Sequence, residues 1–412
     1  MQAKVPEPVR GACRVLHDAG FEAWVVGGAV RDLVLGKTPS DWDVASDALP
    51  EQVLKLFDRT IATGLQHGTV TALVGRGHDR TPVEITTFRG EGAYSDSRRP
   101  DCVHFGVPLN EDLKRRDFVM NAMAFDPIAK QVHDPFDGVG DLENRVIRAV
   151  GVAEKRFAED GLRVMRAVRF VSTLDFALEE DTEAALSTAL EALSKVAMER
   201  VRVELLKLLG GPAVVRALRV AEKNRILATI LPQLSHEAFE DALARISVAP
   251  CDEVLRLATL LWGVPASSLD DILRHLKMSN DERKRIMSAL RHIAEIDALC
   301  GSDVEVRSFL SAVGRKAAPD LLALVSQEAA RTNNASLASA VAKADVILGS
   351  GVALELGDLA ISGGKIMELA GVRGPVVGET LRDLLVQVLE DPSRNRPEFL
   401  ESAASEFISI RQ

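Results

Sequence analysis

Aromatic residues make up only 4% of this 412-residue chain, too few for a surface on which one nucleobase after another stacks on exposed rings. The four cysteines, Cys13, Cys102, Cys251 and Cys300, stand far apart and form no Cys-x-x-Cys pair. That spacing fits a reducing compartment and speaks against a zinc site. No segment approaches the roughly 20 apolar residues of a membrane span, and Met1 to Arg10 has charges and two prolines where an export signal needs an apolar core. Internal repeats and low-complexity segments are missing too. Positive charge is in deficit, with 50 Lys and Arg against 60 Asp and Glu and a formal charge of -10. A polyanionic partner must therefore be met by a local basic patch, with affinity that falls steeply with salt.

A hydrophobic content of 47% is ample for buried cores, and the length suits roughly two to four domains. The pattern changes near Gly151. Before it, short β-branched runs alternate with glycine-rich turns and helices, which predicts a mixed α/β region with about five strands. After it, helical periodicity dominates, as in Thr182 to Leu209, which ends at Gly210-Gly211-Pro212. Ser279-Asn280-Asp281-Glu282 reads as a capping box opening a helix toward Leu299. The fold class is α+β, a mixed head followed by an all-helical remainder.

The densest chemistry lies in the head. Asp41-Trp42-Asp43-Val44-Ala45 reads as a strand on which both carboxylates project from one face, roughly 7 Å apart. Upstream, the strand Ala23 to Val26 runs into Gly27-Gly28 and a helix over Ala29 to Leu35. Glycines there let a ligand approach the backbone, and the helix start offers N–H donors to phosphate. Pro82 to Phe88 alternates as a strand and carries Glu84, a third carboxylate that an adjacent strand would bring to the pair. An isolated Asp-x-Asp is most often a turn or a solvated strand end. The ordered combination with a phosphate cradle points instead to a metal-dependent nucleotidyl-transfer site.

Asp160 and Arg163 sit three apart in the helical run Ala158 to Thr173 and are expected to share a face. A carboxylate only accepts and a guanidinium only donates. Together they match the amino group and ring nitrogen on the pairing edge of cytosine or adenine, and leave unpaired groups against uracil or guanine. The ordinary alternative is a surface ion pair worth little; the upstream carboxylates favour base selection. Arg166 and Arg169 continue nearly the same face, and Lys114-Arg115-Arg116 and Arg98-Arg99 add basic clusters that compete with a plain solvated-face reading. Arg89 to Pro100 reads as a mobile loop.

Four segments occur in one order: Gly27-Gly28-Ala29-Val30-Arg31-Asp32, the Asp41/Asp43 pair, Arg115-Arg116-Asp117-Phe118-Val119-Met120-Asn121-Ala122 and Glu159-Asp160-Gly161-Leu162-Arg163. In this the chain resembles the bacterial class II tRNA nucleotidyltransferases (CCA-adding enzymes), a family that includes bacterial poly(A) polymerases. The resemblance is strongest from Trp24 to Phe170. It implies Mg²⁺ at Asp41 and Asp43, support from Glu84, a triphosphate facing Gly27, Gly28 and Arg31, and ribose and phosphate contacts from Arg116, Asp117 and Asn121. Arg116 to Asn121 also reads as a salt-bridged turn leading into a strand over Val119 to Phe125. It implies a catalytic head over 1–150, a nucleotide-selecting neck over 151–211, a body over 212–300 and a tRNA-holding tail over 301–412. CTP, ATP and the tRNA acceptor end would be its partners, with no obligate protein partner and a cytoplasmic location. The Arg89 to Pro100 loop resembles one found in A-adding members. An A-adding enzyme or poly(A) polymerase stays open, as does, in another class, an inactive RNA-binding scaffold. Many relatives carry a His-Asp phosphohydrolase domain; here Arg256 to Gly263 and His236, His275 and His292 have no ligand spacing, and no such activity is expected. Gly371 to Gly378 before a helix over Thr380 to Leu389 reads as an interhelical loop, or as backbone donors to an RNA phosphate.

Overall fold

The computed structural model describes residues 5–62, 64–65, 68–75, 80–91, 103–370 and 374–411. They fall into two compact units, Met1–Pro232 and Gln233–Gln412.

In the first unit, α1 (Glu7–Asp18) buries Val9, Ala12, Cys13 and Leu16, the three- and four-residue spacing of one helical stripe. There follow β1 (Ala23–Val26), α2 (Gly28–Val34), β2 (Asp43–Ser46), α3 (Pro50–Leu56), β3 (Thr60–Ile61), β4 (Thr69–Val74), β5 (Thr81–Thr87), β6 (Arg89–Glu91), β7 (Val103–Phe105), α4 (Leu109–Lys114), β8 (Ala124–Asp126) and β9 (Gln131–His133). Seven of these strands form one sheet in the order β3-β4-β5-β2-β1-β8-β9, and β6 pairs with β7 apart from it. The sheet exceeds the expected five strands by its two edges, β3 and β9, which are too short to show a periodicity. Only β2 and β5 within it run parallel; the other pairs are antiparallel. On β5, Val83, Ile85 and Thr87 are buried, on β4 Val70 and Ala72, and α1 and α3 pack on both strands. Pro82 and Glu84 are exposed on the opposite side, so the period of two separates a core face from an open face.

The rest of this unit is helical apart from one short parallel strand pair, Val146–Ile147 with Ala177–Leu178, which departs from the expected all-helical remainder after Gly151: α5 (Gly138–Glu143), α6 (Ala153–Glu159) and α7 (Leu162–Leu174), with helices Met198–Leu209 and Val214–Lys223 packed on α7. Two expectations are corrected. The strand foreseen over Val119 to Phe125 is a 3₁₀ turn, Val119–Asn121, followed by β8, because the Asn121 and Ala122 N–H groups bond back to the Phe118 and Val119 carbonyls. The single helix foreseen over Thr182 to Leu209 is three, Glu180–Thr188, Leu190–Ser194 and Met198–Leu209. The breaks at Ala189 and around Lys195 fold the segment back so that Leu186, Leu193 and Leu205 are all buried.

The second unit is all-helical among the described residues. The Ser279 capping box is present, with Ser279 accepting from the Glu282 N–H and Glu282 accepting from the Ser279 N–H. Its helix ends at Arg291 and passes into a 3₁₀ stretch, Ile293–Cys300, short of one continuous helix to Leu299. The helix expected from Thr380 starts earlier, at Pro375, after Gly374 in a left-handed conformation at φ +80°. Proline at the first position suits a helix start because its missing N–H would be unpaired there anyway. The preceding residues 371–373 lie outside the described residues. One core gathers Phe309, Leu310, Leu321 and Val325, another Ile366, Leu384, Val388 and Leu400. No helix of the described residues is long and apolar enough to cross a membrane.

Gly161 joins α6 to α7 where a Cβ would meet the backbone of Ala192 and Leu193. Its φ of -58° is ordinary, so close approach is what requires glycine here. Gly161→Ala should cost about 1–3 kcal/mol, read as a lower urea midpoint at unchanged slope.

Candidate active site

Asp43 opens β2 and is paired with Glu84 of β5 across the parallel ladder. On its other side it is paired with Val26, the last residue of β1. Beyond Val26 the chain turns through Gly27 at φ +72°, a conformation that favours glycine. A Cβ on Gly27 would lie 3.0 Å from Arg116 Nη1 and 3.9 Å from Asp43 Oδ2, so the turn, the guanidinium and the carboxylate adjoin. Burial raises the Asp43 pKa above the usual range; Arg116 opposes the shift and Asp41 adds to it.

Asp41 corrects the strand reading. The ladder stops at Val26 and Asp43 because Gly27 turns away, so Asp41 and Trp42 precede β2 and alternation does not place Asp41 beside Asp43. Asp41 is exposed and accepts from Ser40 Oγ at 3.0 Å. Among the described residues no three His, Cys, Asp or Glu side chains converge as a ready-made metal centre. The donor set, Asp43 beside Glu84 with Asp41 on the adjoining loop, is still all hard oxygen, the chemistry a divalent cation such as Mg²⁺ takes.

A second set of groups is built on the 3₁₀ turn and α7. The Asp117 carboxylate accepts from Arg166 Nε at 2.7 Å, Asn121 Nδ2 at 3.1 Å and the Phe118 N–H at 2.8 Å. Burial pushes its pKa up, but the Arg166 charge and these donors outweigh it and hold the group at about 2. Asn121 Oδ1 in turn accepts from Arg31 Nη1 at 3.0 Å, and Arg31 also pairs with Asp32 at 2.8 Å. Arg169 Nε lies 2.8 Å from Glu204, a buried carboxylate on Met198–Leu209. Burial lowers the Arg169 pKa to about 10 against the pull of Glu204. The guanidinium carbons of Arg31, Arg166 and Arg169 stand 5.2, 5.7 and 3.9 Å from the centroid of the Phe170 ring. Residues that are distant in sequence thus form one arginine cluster around an aromatic ring.

Asp160 and Arg163 do not pair on one helical face. Asp160 lies in the extended break between α6 and α7, accepting from the Leu162 N–H at 3.1 Å and from Arg200 Nη2 at 2.9 Å. Arg163 donates to Glu159 at 2.6 Å and to the carbonyls of Arg156 and Arg115 at 2.7 and 3.1 Å. The tight packing at Gly161 causes the break. Arg116 is tied to Asp112 at 3.2 Å. Arg98, Arg99 and most of the Arg89 to Pro100 loop lie outside the described residues, while Arg89–Glu91 is strand rather than loop.

Sequence reasoning missed Asp112, Glu159, Arg200 and Glu204. For Glu204 a signal existed: it interrupts the apolar stripe Val201, Leu205, Leu208 with an ionisable group that must be paired if buried.

A carboxylate pair in register on a sheet, beside a glycine turn that opens a helix and an arginine cluster, defines a nucleotidyltransferase head. Residues 23–148 match the family model of the poly A polymerase head domain, 175–237 that of an RNA- and SrmB-binding site of polymerase A, and 252–404 that of tRNA nucleotidyltransferase domain 2. The chain is 38% identical over 406 residues to the CCA-adding enzyme of Lactobacillus delbrueckii subsp. bulgaricus, covering 96% of this chain and 95% of that one. It is 53% identical over 212 residues, about half of each chain, to that of Leuconostoc mesenteroides. The crystal structure of the Bacillus stearothermophilus CCA-adding enzyme in complex with CTP matches 98% of each chain at TM-score 0.81 and 34% identity. The chain belongs to the CCA-adding enzyme family of tRNA nucleotidyltransferases.

Asp117 gives a pH prediction. Its folded pKa lies below that of an ordinary aspartate, so it stabilises the fold at neutral pH and the contribution is lost as pH falls toward 2. Asp117→Asn should therefore be less stable than the parent chain at pH 7, by at least about 2 kcal/mol, and the gap in urea midpoint should close as pH drops below about 4.

Proposed function

We propose that the chain completes or repairs the 3′-terminal CCA of tRNA from CTP and ATP without a nucleic-acid template. The observation that carries this is Asp43 in register with Glu84 beside the Gly27 turn and Arg116, in a chain alike over nearly its whole length to CCA-adding enzymes. In the transfer, the RNA 3′-hydroxyl forms a bond to the α-phosphorus, the bond to the bridging oxygen breaks, pyrophosphate leaves and the hydroxyl proton is lost to solvent or a carboxylate. Asp41 and Asp43, with Glu84 in support, would hold Mg²⁺, which lowers the charge of the reacting phosphates and favours the alkoxide. The Gly27-Gly28 backbone and Arg31, Arg166 and Arg169 receive the triphosphate; Arg116, Asp117 and Asn121 contact or position ribose and phosphate.

Asp160 and Arg163 read the pairing edge of the incoming base. Asp160 is held by Arg200 and Arg163 by Glu159, so each is oriented before a base arrives and exchanges part of its hydrogen bonding for the base. Residues 1–150 act as head, 151–211 as neck, 212–300 as body and 301–412 as the tail that holds the tRNA. Its tRNA substrate assigns the protein to the cytoplasm.

Labelled CTP and ATP, offered separately and together with Mg²⁺ to tRNA ending at the discriminator base or at CC and to an unstructured RNA, test the reading. CCA addition followed by arrest is expected. Addition of A only after CC, or long A tails on any RNA, would move the assignment to an A-adding enzyme or a poly(A) polymerase. Asp43→Ala should lower incorporation by at least about 10³-fold with tRNA affinity retained; equal incorporation by this variant would favour a scaffold.

A further inference from the structure

We propose that the hydroxyl pair Thr69–Thr86, on the open face of the sheet beside Glu84, receives the terminal ribose of the RNA strand being extended and reads its 2′-hydroxyl. This rests on the nucleotidyl-transfer reading above. The register places the residues. Asp43 is paired with Glu84, Glu84 with Thr71, and Thr86 with Thr69. Glu84 and Thr86 are two apart on β5 and project from the same face, about 7 Å apart, while Val83, Ile85 and Thr87 are buried on the other. Directly paired residues share a face, so Thr69 and Thr71 stand on the Glu84 side as well.

The sheet order β5-β2-β1 sets Asp43 between Glu84 on one side and Gly27 on the other. Displacement at phosphorus is in line: the attacking oxygen enters opposite the leaving group. With the triphosphate on the Gly27 and Arg31 side, the leaving pyrophosphate departs there, and the attacking hydroxyl arrives over β5 and β4. Those two strands carry no lysine or arginine, and on the Glu84 side they carry three threonines, of which Thr71 is buried and Thr69 and Thr86 are half-buried. Such a surface suits a sugar better than a phosphate.

Thr69 Oγ1 and Thr86 Oγ1 are 3.0 Å apart and both residues are half-buried. One hydroxyl donates to the other, so the acceptor keeps its own proton to donate, and lone pairs stay available. A ribose 2′-hydroxyl is both donor and acceptor, and it is the group by which a protein tells RNA from DNA at a given position. A 2′-deoxy terminus would leave the pair facing C–H, a loss of up to about tenfold for a neutral hydrogen bond.

The experiment compares tRNA ending at CC with either ribose or 2′-deoxyribose on the last nucleotide. Addition of A is measured as kcat/KM, and affinity for the two tRNAs is measured without nucleotide, for the parent chain, Thr86→Val, Thr69→Val and Thr86→Ser. A several-fold preference for the ribose end is expected in the parent chain. It should fall toward one in both valine variants, with KM for ATP unchanged, and persist in Thr86→Ser. A preference intact in Thr86→Val, or equal losses on both tRNAs in a variant of unchanged melting temperature, would overturn the assignment. Should no tRNA be extended at all, the transfer reading fails; the ribose preference in binding then still decides the hydroxyl assignment, which a ratio of one in the parent chain would overturn.

Discussion

The ion pair between Asp117 and Arg166 joins the two halves of the candidate site. Asp117 ends the segment that leads into the head's 3₁₀ turn, and Arg166 sits in the middle of α7. A buried carboxylate this strongly favoured as the anion cannot lose its guanidinium without leaving an uncompensated charge, a cost of about 3–5 kcal/mol. The pair therefore does more than stabilise. Through Asn121 it fixes Arg31 near the start of α2, so the orientation of that arginine is set by a residue about 130 positions later in the chain. The head and the first long helix after it belong to the same compact unit, which that coupling requires.

The sheet supplies the other constraint. Only one strand pair within it is parallel, and that pair carries Asp43 and Glu84. A parallel connection needs an intervening crossover, and the stretch between β2 and β5 contains α3, β3 and β4. The two carboxylates thus come from segments 41 residues apart and are held by ladder hydrogen bonds rather than by a flexible loop. Rigid support of this sort is what places oxygen ligands with the accuracy a transfer site demands.

Much of the fold was legible because its signals are local. Gly27-Gly28 after a β-branched strand, the alternation around Glu84 and the Ser279 capping box each depend on neighbours within a few residues, and each element appears. The misread features depend on distant contacts. Asp41 leaves the strand because β1 ends at Val26, and Asp160 leaves the helix because Gly161 packs on the Ala192 backbone. Helical periodicity runs through Glu159 to Arg163 without a visible stop, since glycine weakens a helix by only about 1 kcal/mol and tertiary packing decides the rest. The roles of Glu159 and Asp112 were hidden for the same reason: a carboxylate in an amphipathic helix looks solvated until its partner is known.

Those hidden carboxylates bear on how an acidic chain can carry a site for polyanions. Arg31 is paired with Asp32, Arg116 with Asp112, Arg163 with Glu159, Arg166 with Asp117 and Arg169 with Glu204. Gathering five guanidinium groups without such partners would cost several kcal/mol in mutual repulsion and desolvation, because charges a few ångströms apart in a partly buried site are screened far less than in water. With a carboxylate against each, the cluster is close to neutral before substrate arrives, and each planar guanidinium is fixed in orientation by its partner. On the proposed assignment of these arginines to the triphosphate, attraction comes from directed N–H donors more than from net positive charge. That arrangement explains why a formal charge of -10 is no obstacle to the activity. On the same proposal, each phosphate oxygen must compete with a resident carboxylate, and the site favours a ligand that meets several arginines at once over a simple anion that meets one.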